Sequence, residues 1–160
     1  MHQPTVEPLH VYIDASLERV GAKFQNKVYS CIIPQNIKNL CSIVHLEALN
    51  MLMALRLWCK WMDNKPVIIW CDNIAVVNVF NSFRVRDPWL MAVTRTMWLY
   101  MSGHNIDLQV RHVKGCENVY ADVLSRWHMY EAANTTVVQY LKILHWENVS
   151  PDWLLPDFDI

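Results

Sequence analysis

LHVYIDASLERVGAKFQNKVYSCII, residues 9–33, is the stretch that decides the fold. Residues 9–14 form an apolar run ending in Asp14, which reads as a strand. After a polar connection, 20–24 and 27–33 flank Gln25-Asn26 as the arms of a hairpin. Working outward, 34–40 reads as a loop, and SIVHLEALNMLMALRLWCKWM (42–62) as a long helix with Ser42 as its N-cap. Asp63-Asn64-Lys65-Pro66 stops that helix. A buried strand follows at 67–71, helical pattern at 74–81 and from Asp87-Pro88 to about 101, ended by Gly103. A strand is predicted at 107–113 and a helix at 119–127. Three strands, a helix, then alternation define an α/β layer sandwich with a mixed sheet.

Residues 1–128 form the predicted domain, and 129–160 a C-terminal extension. The extension combines a helix over 136–145 with the irregular, proline-punctuated tail VSPDWLLPDFDI. The three glycines, Gly21, Gly103 and Gly115, are read as turn markers between elements.

A 53% hydrophobic content suffices for a full core, yet the apolar runs are too short to span a membrane, so no membrane partner is expected. The opening HQPTVEPLHVY has neither the basic start nor the apolar stretch of a secretory signal. Cys31, Cys41, Cys59, Cys71 and Cys116 show no CxxC pairing or zinc spacing. They read as reduced thiols of an intracellular protein, cytoplasmic or nuclear.

Four acids carry the chemistry. Asp14 in VYIDAS and Asp72 in VIIWCDN each end an apolar strand, where active sites of open α/β sheets gather. An Asx turn or a helix cap is the alternative for either one alone. Glu47 projects, at about 100° per residue, opposite Arg56, Lys60 and Asp63 and alongside Met51, Ala54 and Trp58. A carboxylate buried there needs a cation, and no Arg or Lys shares its face. Asp122 lies at the polar edge of an apolar helix, where pairing with Arg126 at i+4 is the competing role. Gathered together, the four would repel by several kcal/mol at an effective dielectric of about 20. Two Mg²⁺ ions, or Mn²⁺ as substitute, would relieve this, because the donors are oxygens. Such a pair is suited to in-line hydrolysis of a phosphodiester.

The most specific motif is HVKGCENVYADVLSRW (112–127). With the DAS of Asp14, the helix Glu and the CDN of Asp72, it resembles the ribonuclease H family, especially the domain following reverse transcriptase in gypsy-type and DIRS-type retroelements. The resemblance runs from about residue 9 to 127. It implies a three-layer α/β fold with a five-stranded mixed sheet, the Asp14 and Asp72 strands side by side at its centre. It implies catalytic and metal-binding roles for Asp14, Glu47, Asp72 and Asp122, and endonucleolytic hydrolysis of the RNA strand of an RNA–DNA hybrid. It also implies an adjacent reverse transcriptase polymerase domain as partner. Hybrid is read in this family by minor-groove shape and 2′-hydroxyls. Ser16, Asn73 and Asn78 are candidate substrate contacts, with turn or helix-packing roles as the alternative for Ser16 and Asn78.

The chain departs from the family in two respects. The loop before the last helix is only Lys114-Gly115-Cys116-Glu117 and lacks the histidine of many cellular members; His112 reads as a packing residue instead. No basic helical insertion follows Phe83, since only Arg84, Arg86 and Arg95 occur there. The formal charge of −1 becomes only +3 when the four site acids are set aside, a weak footprint for a nucleic-acid enzyme. Slow turnover and weak hybrid affinity are therefore expected of the isolated domain. A catalytically silent docking or connection domain is the competing reading, which retention of all four acids disfavours. Exonucleases, resolvases and integrases of the same fold place their acids in other motifs. Among the tryptophans, Trp58, Trp61, Trp70 and Trp98 are expected in the core or between layers; Trp89 and Trp127 could touch nucleic acid or a neighbouring domain, but core packing is the expectation for an aromatic in an apolar segment.

Overall fold

The computed structural model describes residues 6–82 and 85–154. Its order is β1 (Leu9–Ala15), β2 (Arg19–Phe24), β3 (Lys27–Ile32), α1 (Gln35–Lys38), α2 (Ile43–Trp58), β4 (Pro66–Cys71), α3 (Ile74–Ser82) and α4 (Pro88–His104). Then come β5 (Asp107–His112), α5 (Val119–Ser125), α6 (Trp127–Tyr130), α7 (Thr136–Lys142) and β6 (His145–Trp146). The strands form one mixed sheet in the order β5-β4-β1-β2-β3-β6. β1 runs antiparallel to β2 and parallel to β4, so the Asp14 and Asp72 strands are neighbours at the centre.

Strand alternation divides the side chains between two faces. On one, Val11, Ile13, Val20, Ala22, Phe24, Val67, Ile69 and Val110 pack under α2, α3 and α4. α5 lies on the other, where Val28, Val123, Leu124, Trp127, Val138 and Leu141 make a second, smaller core. Every residue from Leu46 to Leu55 is buried, because α2 is wrapped by the sheet, α4 and the 3₁₀ turn Pro151–Leu154. The expected wet side of this helix survives only at its C-terminal end, around Arg56 and Lys60.

Several expectations need correction. The sheet has six strands, because His145–Trp146 of the extension adds in parallel to β3. The predicted 42–62 helix becomes 3₁₀ over Cys59–Trp61, and α1 occupies part of the expected loop. Gly103 lies inside α4, which ends at Asn105 in the left-handed conformation (φ 50°). Gly21 is no turn either. It sits within β2, and a Cβ there would fall 2.5 Å from Leu124 Cβ and 2.6 Å from its backbone carbon. Only glycine lets α5 approach the sheet this closely. Of the tryptophans expected inside, Trp58 is fully buried, but Trp61 and Trp98 are 41% and 51% exposed. Trp127 is buried in the second core. His112, expected to pack, is exposed on the edge strand. The extension's tail continues as the 3₁₀ turn whose Leu154 is buried and whose Trp153 carbonyl accepts from Arg56 (2.8 Å); residues 155–160 and Arg84 lie outside the described residues. Among those described, no helix is long and apolar enough to cross a membrane.

Candidate active site

β1 and β4 run parallel side by side, so their carboxyl ends meet, and α2 enters from the packed face at the same level. Glu47 is 2% exposed and Asp14 5%. The backbone N–H of Ala15 donates to Glu47 Oε1 at 3.0 Å, tying the helix carboxylate to the end of β1. Glu47, Cys71 and Asp72 each bring one ligand atom within 4.8 Å of the others. Ser125 donates its hydroxyl proton to Asp14 Oδ2 at 2.9 Å.

Burial pushes the Asp14 carboxyl up to about 7, helped by the charge of Asp72 and, less, of Asp122; the Ser125 hydrogen bond opposes this. Burial likewise holds Glu47 well above the carboxylate range, with Asp14 and Asp72 adding repulsion. Acids this close ionise together only when positive charge joins them. The Cys71 thiol, 3.8 Å from Glu47 Oε2, is pushed far above its usual range by burial, so it stays a neutral S–H. Effective donors are therefore oxygens, a set that fits Mg²⁺ or Mn²⁺ better than zinc.

Asp122 stands apart from this interior group. It is half-exposed on α5, and Arg126 Nε lies 3.4 Å from its Oδ1, so the i+4 contact is formed. Its charge nevertheless reaches Asp14. The structure thus brings Asp14, Glu47 and Asp72 together and sets Asp122 at the rim.

The remaining predicted residues are locally committed. Ser16 Oγ donates to the Ser125 carbonyl (2.7 Å) and accepts from the N–H groups of Glu18 and Arg19, closing the β1–β2 turn. Asn73 Oδ1 accepts from Ala75 and Val76 N–H, capping α3. Asn78 is exposed on α3. Three supporting residues escaped the sequence reading. Asn50 Nδ2 donates to the carbonyls of Asp14 (3.0 Å) and Gly21 (2.9 Å), while its Oδ1 accepts from Tyr29 Oη (2.5 Å). Asn118 Nδ2 donates to the Ile13 carbonyl at 2.8 Å. The third is Ser125. Asn50 did carry a signal: a lone amide one turn after Glu47 in an otherwise apolar helix, where a buried polar group needs assigned partners.

This strand order and these layers define an α/β protein with a ribonuclease H-like fold. Among solved structures, the chain is similar to ribonuclease H1 from the halophilic archaeon Halobacterium salinarum NRC-1, with a TM-score of 0.62 at 16% identity, covering 79% of this chain and 100% of that one. It is also similar to LC11-RNase H1, isolated from compost by a metagenomic approach, with a TM-score of 0.57 at 17% identity, covering 74% and 93%. At such identities the likeness establishes the fold alone. No family model and no curated protein sequence matches the chain.

Proposed function

We propose that this chain is a metal-dependent ribonuclease H that hydrolyses the RNA strand of RNA–DNA hybrids. Its setting in this reading is a retroelement's reverse transcription, inside the cell in cytoplasm or nucleus, beside a reverse transcriptase polymerase domain. The observation that carries the reading is the meeting of Asp14, Glu47 and Asp72 at the carboxyl ends of two central parallel strands, with no cationic side chain hydrogen-bonded to any of the three among the described residues. The ribonuclease H-like fold supports the choice of chemistry.

Asp14, Glu47 and Asp72, with Asp122 from the rim, are the residues that would hold two divalent cations. Bound there, such ions supply Lewis-acid activation of water and stabilisation of the departing 3′ oxygen. The chain itself supplies rigidity. Ala15 N–H fixes the Glu47 carboxylate, Ser125 fixes that of Asp14, and Asn50 pins the carbonyl of Asp14. Fixed oxygens cost little reorganisation when charge develops on phosphorus. Burial favours the protonated form of Asp14 and Glu47, and that protonation must be lost as cations enter, so binding should strengthen with pH.

Cleavage of labelled RNA–DNA hybrid, duplex DNA and duplex RNA, each with Mg²⁺, Mn²⁺ or EDTA, tests the reading. Cutting of hybrid alone, lost in EDTA and in Asp72→Asn, is expected; sustained cutting by Asp72→Asn would remove the metal assignment. The silent-docking alternative draws on one observation, the Arg126 contact to Asp122. No cleavage of any substrate, with the Asp122→Asn protein indistinguishable from its parent in cation binding, would favour that alternative.

A further inference from the structure

Across the sheet, Tyr12 pairs with Lys23 on β2 and with Trp70 on β4, and Trp70 pairs with Arg111 on β5. Directly paired residues point to the same face, so Lys23, Tyr12, Trp70 and Arg111 form one row over four strands, about 14 Å long at ordinary strand spacing. It lies on the face opposite α2 and beside α5. Asp14 and Asp72 are two residues further along the strands of Tyr12 and Trp70, on the same side and about 7 Å away.

Three rings in this row and just below it are ordered. Tyr12 and Trp70 have centroids 6.4 Å apart with planes 12° from parallel, and His10 lies 6.2 Å from Trp70 at 19°. Trp70 Nε1 donates to His10 Nδ1 at 3.0 Å, which holds both rings. Neither flanking cation has a carboxylate partner among the described residues: Lys23 Nζ donates to the Gln25 carbonyl and lies over the rings of Tyr120 and Tyr140, and Arg111 donates to Gln109. A cavity of about 330 Å³ opens over Tyr12 and Lys23, walled by residues 117–120. One wall residue is Asn118, whose buried Oδ1 has no hydrogen-bond partner.

We propose that this row binds unpaired nucleotides of the strand running out of the duplex, bases stacked on Tyr12 and Trp70 and phosphates held by Lys23 and Arg111. Two adjacent flat rings flanked by a cation at each end, rather than aliphatic side chains, match a run of bases with phosphates on either side. Glu117 also borders the cavity, so Lys23 is the cation there that would meet a phosphate. The identity of the adjoining duplex rests on the hybrid-nuclease reading; the single-strand site does not.

Fluorescence anisotropy of the full chain in EDTA, with labelled dT12, a blunt hybrid and the same hybrid bearing a six-nucleotide overhang, tests this. The overhang should tighten binding relative to the blunt duplex. Trp70→Ala should weaken dT12 binding about tenfold, with Trp70→Phe recovering most of it. Arg111→Ala, at an exposed position that leaves folding intact, should flatten the log–log salt dependence by close to one phosphate contact. Failure of dT12 or the overhang to bind would overturn the proposal, and so would binding unchanged in Arg111→Ala and in a folded Trp70→Ala. A protein partner would then be the better occupant. Blunt-hybrid cleavage in Mg²⁺ is scored separately, so loss of the nuclease reading is not confused with loss of this one.

Discussion

The two faces of the sheet solve different problems with the same strands. Under α2 every position is filled: Phe24, Tyr29 and Trp58 interlock with ring centroids 5.3 to 5.6 Å from Trp58, and Asn50 has its amide satisfied on both sides. Glu47 is set into that dry packing as its one carboxylate from α2, held by a single backbone N–H. On the α5 side the sheet is half bare, and Tyr12, Trp70 and Arg111 meet solvent beside a helix whose closest approach to the strands is over Gly21. Charge on the dry face needs a cation; charge on the wet face has water. The acidic site lies where these regimes join, at the strand ends.

The largest effects should come from the contacts that join the faces. Gly21→Val places its branched side chain where Leu124 and the backbone of Ser125 already sit. Overpacking against backbone has no rotamer to relieve it, and a loss of about 3 kcal/mol or more is expected. Thermal unfolding should show it, with cation binding failing alongside because Ser125 and Asp122 shift away from Asp14. A Tm equal to that of the parent would show that α5 is not seated through this glycine. Next comes Glu47→Gln, which removes the charge from the dry face while keeping an oxygen for Ala15 N–H. Without divalent cations the variant should melt several degrees above its parent, and Mg²⁺ or Mn²⁺ should add little. Hybrid cleavage should fall by orders of magnitude.

A pH series sharpens the same contrast. The folded-state pKa of Asp14, raised to about 7 from 3.8, means the folded chain binds more protons than the unfolded one between those values. Stability of the cation-free protein must therefore decline as pH rises through that window. Glu47, raised in the same direction, adds to the decline. Unfolding in EDTA should give a higher Tm near pH 5 than near pH 8, and added Mn²⁺ should stabilise more at pH 8. The reverse order would mean the acids are paired with something other than each other.

Much of this was readable in the chain, for physical reasons that differ by residue. Glu47 stood out because helical periodicity opposes it to charged residues, and burial follows from that angle. Asp14 and Asp72 stood out because an apolar run ending in Asp has few uses. Asp122 was ambiguous and remains divided between its arginine and the site, since i+4 proximity and site proximity coexist on one helix. Gly21 misled because glycine's usual signature is a turn, whereas here the constraint is Leu124, on a helix about a hundred positions downstream, pressing on the strand. Trp61 and Trp98 misled because hydrophobicity sets a preference for burial without stating which neighbour arrives. β6 was invisible because two residues have no period, and their pairing depends on where α7 ends.

Ser125→Ala ranks below these. It removes one hydroxyl donor from Asp14, a bond to a charged group contributing about 1.5–3 kcal/mol. Cation affinity should drop by roughly tenfold, and the titration of Asp14, followed by carboxyl NMR, should move upward rather than downward. An unchanged titration would mean that the hydroxyl serves only its second partner, the Asp122 carbonyl at 2.8 Å.

The smallest expected effect separates a cap from a contact. Asn73 accepts two N–H groups at the start of α3, so Asn73→Ala should cost about 1 kcal/mol while Asn73→Asp, an equally good cap, should cost almost nothing. The same pair has opposite consequences for nucleic acid. If Asn73 also touches the hybrid backbone, the new carboxylate beside Asp72 repels phosphate, and affinity falls in the stable variant rather than in the weakened one. If its work ends with the helix, hybrid affinity in EDTA follows neither change, and stability alone tracks the cap. The second outcome is expected, because Asn73 Oδ1 is already engaged by Ala75 and Val76.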